Sequence, residues 1–376
     1  MLCPHGYTGL SYYVYALCRS LSDAGTGVTL LTSDTWVPAN VPAPFDIIKL
    51  YRYTNGPRSR ARKGMAYLAS TRRAYQALAH SSAPLFHMQI TELPPVDAWL
   101  MRQARRMGKR VLFTPHDIVH TKRYPGGHAM LQQCFDAAHG IIVHNENNKR
   151  ELCDRYTVDK TRVRIIPHGN YAWRMDVQES RDQACARLGL DKDKQWLLFF
   201  GDIRPSKGLE TLCRAMPVLM REFPQARLLI AGRLSHGLKP AWLQRVVREA
   251  GCGAWTEKRL GFIPDDLIVS YYRAASAVVM PYHSISESGV LRFAHSAGAI
   301  PVCSDLPEFR ETITDGYNGF LFKPGDETDC ARALAQALEM RDNAAMLQAI
   351  KKTDRLYAWD RIANQTQQMY RELLSA

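Results

Sequence analysis

The chain has 376 residues, of which 46% are hydrophobic and 23% charged: enough for two cored domains, and too apolar for a disordered chain. No run of about 18 uninterrupted apolar residues is present, which argues against a membrane-spanning helix, and MLCPHGYTG lacks the basic start and long apolar run of a secretory signal. The formal charge of +13 is lopsided: residues 1–170 carry 22 Lys+Arg against 11 Asp+Glu, residues 171–376 carry 27 against 25.

In chain order, Met1–Cys3 offers only a short piece of strand before the turn-rich loop HGYTGLS. The first strand of a doubly wound domain is therefore a stub, or the true start lies upstream. An amphipathic helix is predicted over Ser11–Ala24, with Tyr12, Val14, Tyr15, Leu17, Cys18 and Leu21 on its apolar face. Strands follow at Val28–Ser33 and in FDIIKLY, then a Gly/Pro/Arg-rich stretch at 54–63 and a helix at about 64–80. Pro84–Ile90 and Arg110–His116 read as buried parallel strands. Between them, Arg102, Arg105, Arg106 and Lys109 fall at i, i+3, i+4 and i+7, one stripe of a helix. That stripe, with the cluster from Arg52 to Arg73, reads as a solvated face or as a docking surface for anionic lipid headgroups. Nucleic acid is disfavoured as a partner, because no recognised motif accompanies the charge. AAHGIIVHNENNKRELCDRY gives strand, turn and helix, and VRIIPHGNY closes the first half. Alternating strands and helices make a parallel sheet, with ligand beyond the carboxyl ends of its strands. Gln89, His116, Asp117 and His144 stand at that mouth.

The second half opens with a helix after Ser180. WLLFF is then a strand, Gly201–Ser206 a loop, and Gly208 starts a helix. Lys207 stands where a cation meets a diphosphate beside a helix N-terminus. GDIRPSKG lacks the spacing of a Walker loop. RLLIAGR is a strand ending in Gly232 and Arg233. AVVMP is another, followed by the polar loop Tyr282–Ser288 and a helix from Gly289. Backbone N–H groups at Ser288, Gly289 and Val290 form an anion cradle, and Glu287 beside it suits sugar hydroxyls rather than phosphate. The last helix spans Trp359–Leu374. Nine scattered cysteines without CxxC pairs read as reduced thiols of a cytosolic protein, and no metal site is expected.

ESGV, AxSAGAIPVxSDLPEFxETI and GYNGFLFxPGD together resemble the C-terminal half of the family 4 retaining glycosyltransferases. The resemblance implies an α/β GT-B fold, with two Rossmann-like doubly wound domains facing each other across a cleft. It gives an acceptor domain at 1–170, a nucleotide-sugar donor domain at 171–355, and a helix at 356–376 crossing back to the first. It further implies that Glu287 and His116 contact the transferred sugar, and that Gly9 approaches phosphate or acceptor. Lys207 would neutralise the donor diphosphate, with Arg204 substituting for the arginine that Asp202 replaces. Gly232 and Ile263 would line the nucleotide, Ile263 through its backbone at the base. His295 occupies the place of a second glutamate and would meet the ribose. The donor would be a UDP- or GDP-sugar, a co-substrate rather than a cofactor, and the acceptor a saccharide, lipid-linked on the charge evidence. The enzyme would be metal-independent and cytoplasmic, peripheral on the membrane's inner face, serving polysaccharide or glycolipid assembly. Two other readings stay open: a non-catalytic sugar-nucleotide-binding subunit, and a GT-B epimerase acting on the sugar nucleotide.

Overall fold

The computed structural model describes residues 1–6, 9–36, 42–52, 60–116, 118, 126–175, 179–235, 237–285 and 288–376. Asp117, Glu287 and most of the 54–63 stretch lie outside them. The chain divides into two compact units, Met1–Gly169 with Trp359–Ala376, and Asn170–Ala358.

The first unit runs α1 (Gly9–Asp23), β1 (Thr29–Ser33), β2 (Asp46–Tyr51), α2 (Arg60–His80), β3 (Leu85–Met88), α3 (Pro94–Arg106), β4 (Arg110–Phe113), α4 (Gly127–Ala137), β5 (Gly140–Val143), α5 (Glu146–Arg155) and β6 (Val163–Ile165). All pairings between these strands are parallel. The Met1–Cys3 piece sits at the centre: Leu2 bridges Leu31 of β1 and Met88 of β3, so the order reads β2-β1-Leu2-β3-β4-β5-β6. Four backbone bonds hold it, among them Leu2 N–H to His87 O at 2.8 Å and Cys3 N–H to Leu31 O at 3.0 Å. The C-terminal helix Trp359–Ser375 packs on α1 in this unit. Trp359 fills the space over Gly169, where a Cβ would overlap the indole. Gln367 Nε2 donates to Ala24 O at 2.9 Å, and Tyr370 meets His87 Nδ1 at 2.8 Å.

The basic stripe is corrected by this unit. Helix α3 stops at Arg106, Gly108 turns the chain at φ 77°, and Lys109 leaves the helix face altogether. Lys109 is buried, and its Nζ donates to Ser81 O at 2.7 Å and Ala83 O at 2.8 Å. Three arginines, Arg102, Arg105 and Arg106, remain exposed. Spacing alone continued the helix one turn too far, because Gly108 ends it.

The second unit runs α6 (Arg181–Leu188), β7 (Gln195–Phe200), α7 (Leu209–Leu219), β8 (Ala226–Gly232), α8 (Pro240–Glu249), β9 (Thr256–Leu260), α9 (Asp265–Ala274), β10 (Ala275–Met280), α10 (Gly289–Ala297), β11 (Ile300–Ser304), α11 (Pro307–Arg310), β12 (Phe320–Phe322), α12 (Glu327–Glu339) and α13 (Ala344–Leu356). Ser180 caps α6 in a complete capping box with Gln183. The sheet order is β12-β11-β10-β7-β8-β9, parallel throughout, so the strand order reverses between β7 and β10. Ligands of doubly wound sheets bind at such a reversal, outside the carboxyl ends of the strands. Beneath it lies a core of Leu197, Phe199, Leu228, Ile230 and Val279 packed on Leu212, Met216 and Leu334. The loops leaving β7 and β10 stand over this rigid floor.

Candidate functional site

The loop leaving β7 is fixed by backbone contacts that only glycine permits. Gly232, at the end of β8 with φ 146°, packs on Gly201 so closely that a Cβ would overlap the Gly201 carbonyl oxygen. Gly208, at φ 63°, meets the Pro281 carbonyl in the same way. His283 N–H donates to Ser206 O at 3.0 Å, tying the loop after β10 to the loop after β7. Gly261 N–H donates to Gly232 O at 2.9 Å, which brings the half-buried Ile263 and its turn to the same rim. The Val290 side chain lies 3.9 Å from the position a Cβ on Gly201 would take. Lys207, Gly232, the Ile263 turn and the start of α10 therefore border one rim within this unit.

Lys207 ends a short 3-10 turn, Pro205–Lys207, and is half-buried. Its Nζ sits over the Tyr282 ring, 3.5 Å from the centroid. Among the described residues it forms no ion pair: the nearby Asp202 pairs with Arg233 at 3.3 Å. Burial, and then the charge of Arg204, bring its ammonium down to about 7, with Asp202 opposing. Arg204 itself is exposed beside it. Tyr282 is buried, at 1% exposure, and its hydroxyl lies at the Ser288 side chain. Ser288 caps α10, its Oγ accepting the Leu291 N–H at 3.1 Å. The Gly289 and Val290 N–H groups stand outside the helix ladder at this positive end. The Tyr171 hydroxyl borders Gly289, 3.3 Å from where its Cβ would stand. A lysine with no ion pair among the described residues, next to the positive end of a helix, can hold a phosphate or diphosphate.

His295 departs from its expected role. It lies on α10, but the ring is only 2% exposed, and among the described residues no hydrogen bond closes at either nitrogen although the Asn318 backbone is close by. Burial, and then Arg292, push its pKa down to about 3. As the ring stands it presents no edge to a ribose, because this face of α10 turns inward.

In the first unit the carboxyl ends of β3, β4 and β5 gather a chain of side chains. His116 Nε2 meets Gln89 Oε1 at 3.0 Å, and His116 Nδ1 meets His144 Nε2 at 3.1 Å. The opposite nitrogen of His144 bonds Ile166 O at 3.0 Å. Tyr13 packs edge-on against His116, with centroids 4.7 Å apart. Burial, and then His144, His168 and His87, hold the His116 imidazole well below its usual range, so it stays neutral. Gly9 is exposed at the first position of α1. A cavity of about 500 Å³ lies at the opposite end of this sheet, lined by Val28 just before β1, Leu31 of β1, Leu85 of β3 and Leu78 of α2. It carries apolar walls and lies away from the mouth where parallel sheets take ligands.

Sequence reasoning missed Tyr282 and Tyr171. An aromatic directly after the strand-ending Pro281 was the available signal for the first. Nothing local announces that its ring faces Lys207, more than seventy residues away.

The model described as "Glycosyl transferases group 1" matches residues 180–354, and that described as "Glycosyltransferase Family 4" matches residues 7–170. A D-inositol 3-phosphate glycosyltransferase of Streptomyces avermitilis is 29% identical over 251 residues, covering 65% of this chain and 54% of the relative. The chain thus spans about half the length of that curated relative. Sucrose-phosphate synthase of Thermosynechococcus elongatus superposes with a TM-score of 0.77 at 22% identity, over 100% of this chain and 98% of that one. The Anabaena protein HepE, in complex with UDP and glucose, gives 0.76 at 15% over 99% and 98%. At such identities the solved structures show the fold alone: two Rossmann-like α/β units of GT-B type.

Proposed function

The chain belongs to the family 4, group 1 glycosyltransferases, and from that premise we propose that it transfers a glycosyl group from a nucleoside-diphosphate sugar to a saccharide acceptor. The observation that carries this reading is Lys207: half-buried, without an ion pair among the described residues, and beside the open start of α10. In this reading the departing diphosphate is held by Lys207, Arg204 and the N–H groups of Gly289 and Val290. Preorganised charge of this kind contributes several kcal/mol to a transition state in which the leaving group turns anionic. Gly232 and the backbone at Ile263 line the nucleotide. Glu287, by its place in the sequence, holds hydroxyls of the donor sugar. His116, a neutral ring at the mouth of the first unit, orients the sugar or acceptor, and Gly9, at the start of α1, approaches the phosphate or acceptor. The leaving phosphate takes the acceptor proton as attack occurs from the same face, which retains the anomeric configuration.

UDP- and GDP-sugars are the donors proposed, UDP being also what HepE binds. A lipid-linked acceptor draws support from α2, which exposes Met65 (62%) and Leu68 (52%) beside the exposed Arg62, Lys63 and Arg72. Apolar and basic side chains on one exposed helix suit the interface of an anionic membrane. No helix among the described residues is long and apolar enough to cross a membrane.

A thermal-shift series with UDP, GDP, ADP and TDP tests the donor site. One diphosphate raises the melting temperature by mass action, and Lys207→Ala removes the rise. No shift with any of the four overturns the donor reading. The buried His295, where the family has a ribose-binding glutamate, favours the second reading, a subunit that binds sugar nucleotide without turning it over. That reading predicts a thermal shift with neither transfer nor donor hydrolysis.

A further inference from the structure

We propose that Tyr282 is a positioning residue that seats the Lys207 ammonium on its ring without neutralising it. This rests on the donor-site reading above and goes beyond it by naming what holds the lysine ready. Three observations meet at this side chain. Lys207 Nζ lies 3.5 Å from the ring centroid, within the range where an ammonium is attracted to the negative face of an aromatic ring. The ring is buried at 1% exposure and cannot swing away, being packed on Phe309 with centroids 5.7 Å apart. Its hydroxyl lies at the side chain of Ser288, which caps α10. One aromatic side chain thus spans the distance between the cation and the helix start.

The kind of partner matters. A carboxylate under Lys207 would form an ion pair, and an incoming diphosphate would have to displace it and leave a buried acid unpaired. Asp202, a carboxylate whose charge reaches Lys207, is tied instead to Arg233 at 3.3 Å. A ring face orients the side-chain nitrogen without tying it into an ion pair that the ligand would have to break. The loop geometry keeps this arrangement, since Gly208 packs on the carbonyl of Pro281, the residue before Tyr282.

The test uses the full chain with isotope-labelled lysine, the Lys207 signal being assigned through Lys207→Arg. In the free protein, ring current displaces the Lys207 ε-CH2 protons upfield of those of the other lysines. Tyr282→Phe keeps that displacement and binds UDP or GDP within about twofold of the parent, because the ring face remains. Tyr282→Met, similar in volume but without a ring, loses the displacement and weakens diphosphate binding about tenfold. Far-ultraviolet circular dichroism and the melting temperature of each variant report whether it folds. Absence of the upfield displacement in the unmutated protein overturns the proposal without any variant. So does a folded Tyr282→Met that binds as tightly as the parent. If no diphosphate binds even the parent chain, the donor reading fails, while the ring-current result still decides the seat of Lys207.

Discussion

Lys207 makes the site sensitive to pH, and the sign follows from its environment. Unfolded, the ammonium titrates near 10.5; folded, burial brings it down to about 7. Between those values the native state binds fewer protons than the unfolded one, so the stability contribution of this group rises with pH across that window. A diphosphate demands the charged form. Binding at pH 8 is therefore expected to take up a proton, and affinity to fall by about tenfold per pH unit above 7 until the ligand-bound pKa is passed. Calorimetry in buffers of different ionisation enthalpy measures the uptake; a pH-independent affinity between 7 and 9 would count against it. At Gly208 the constraint is steric. Alanine there needs a left-handed conformation and drives its Cβ into the Pro281 carbonyl, so Gly208→Ala is expected to cost more than about 2 kcal/mol in urea unfolding.

At the scale of elements, the start of α10 does two jobs through Ser288. Its hydroxyl satisfies the Leu291 N–H, and the N–H groups of Gly289 and Val290 belong to the first turn, outside the intrahelical ladder. Ser288→Ala is expected to lower stability by about 1 kcal/mol, and Ser288→Gly by only a few tenths. Diphosphate affinity should fall in the alanine variant, measured by titration, because a frayed first turn no longer holds its donors together. Helix α3 shows how an element boundary redirects a charge. The arginine spacing was legible as a helical stripe, yet Gly108 turns the backbone and sends Lys109 to the carbonyls of Ser81 and Ala83. The lipid-docking proposal therefore leans on α2, with its exposed Met65 and Leu68. Flotation with anionic vesicles over a salt series checks it. Binding at low salt should weaken in Arg62→Glu/Lys63→Glu, and no binding at low salt removes the proposal.

For the whole molecule, the division into units runs through the C-terminal helix. It belongs with the first unit, where Trp359 seals Gly169 and packs against Tyr13 at 5.2 Å between centroids. Trp359→Ala is expected to cost that unit about 3 kcal/mol. In calorimetry its transition should fall, while the transition raised by a diphosphate stays in place. Much of this architecture was written in the sequence. Buried runs such as WLLFF and AVVMP, alternating with amphipathic helices, determined a parallel doubly wound sheet, and the stretch from Pro281 to Glu311 pointed to an anion cradle and a family. Such features are local: a strand's burial, a helix's start and a glycine turn each depend on a few adjacent residues. Only the tertiary structure decided what faces what. It put Tyr282 under Lys207, turned His295 inward, withdrew Lys109 from the surface, and linked His116 to Gln89 and His144. Those outcomes depend on strand order and on which face of each helix meets the sheet, and both are settled by packing between residues far apart in the chain.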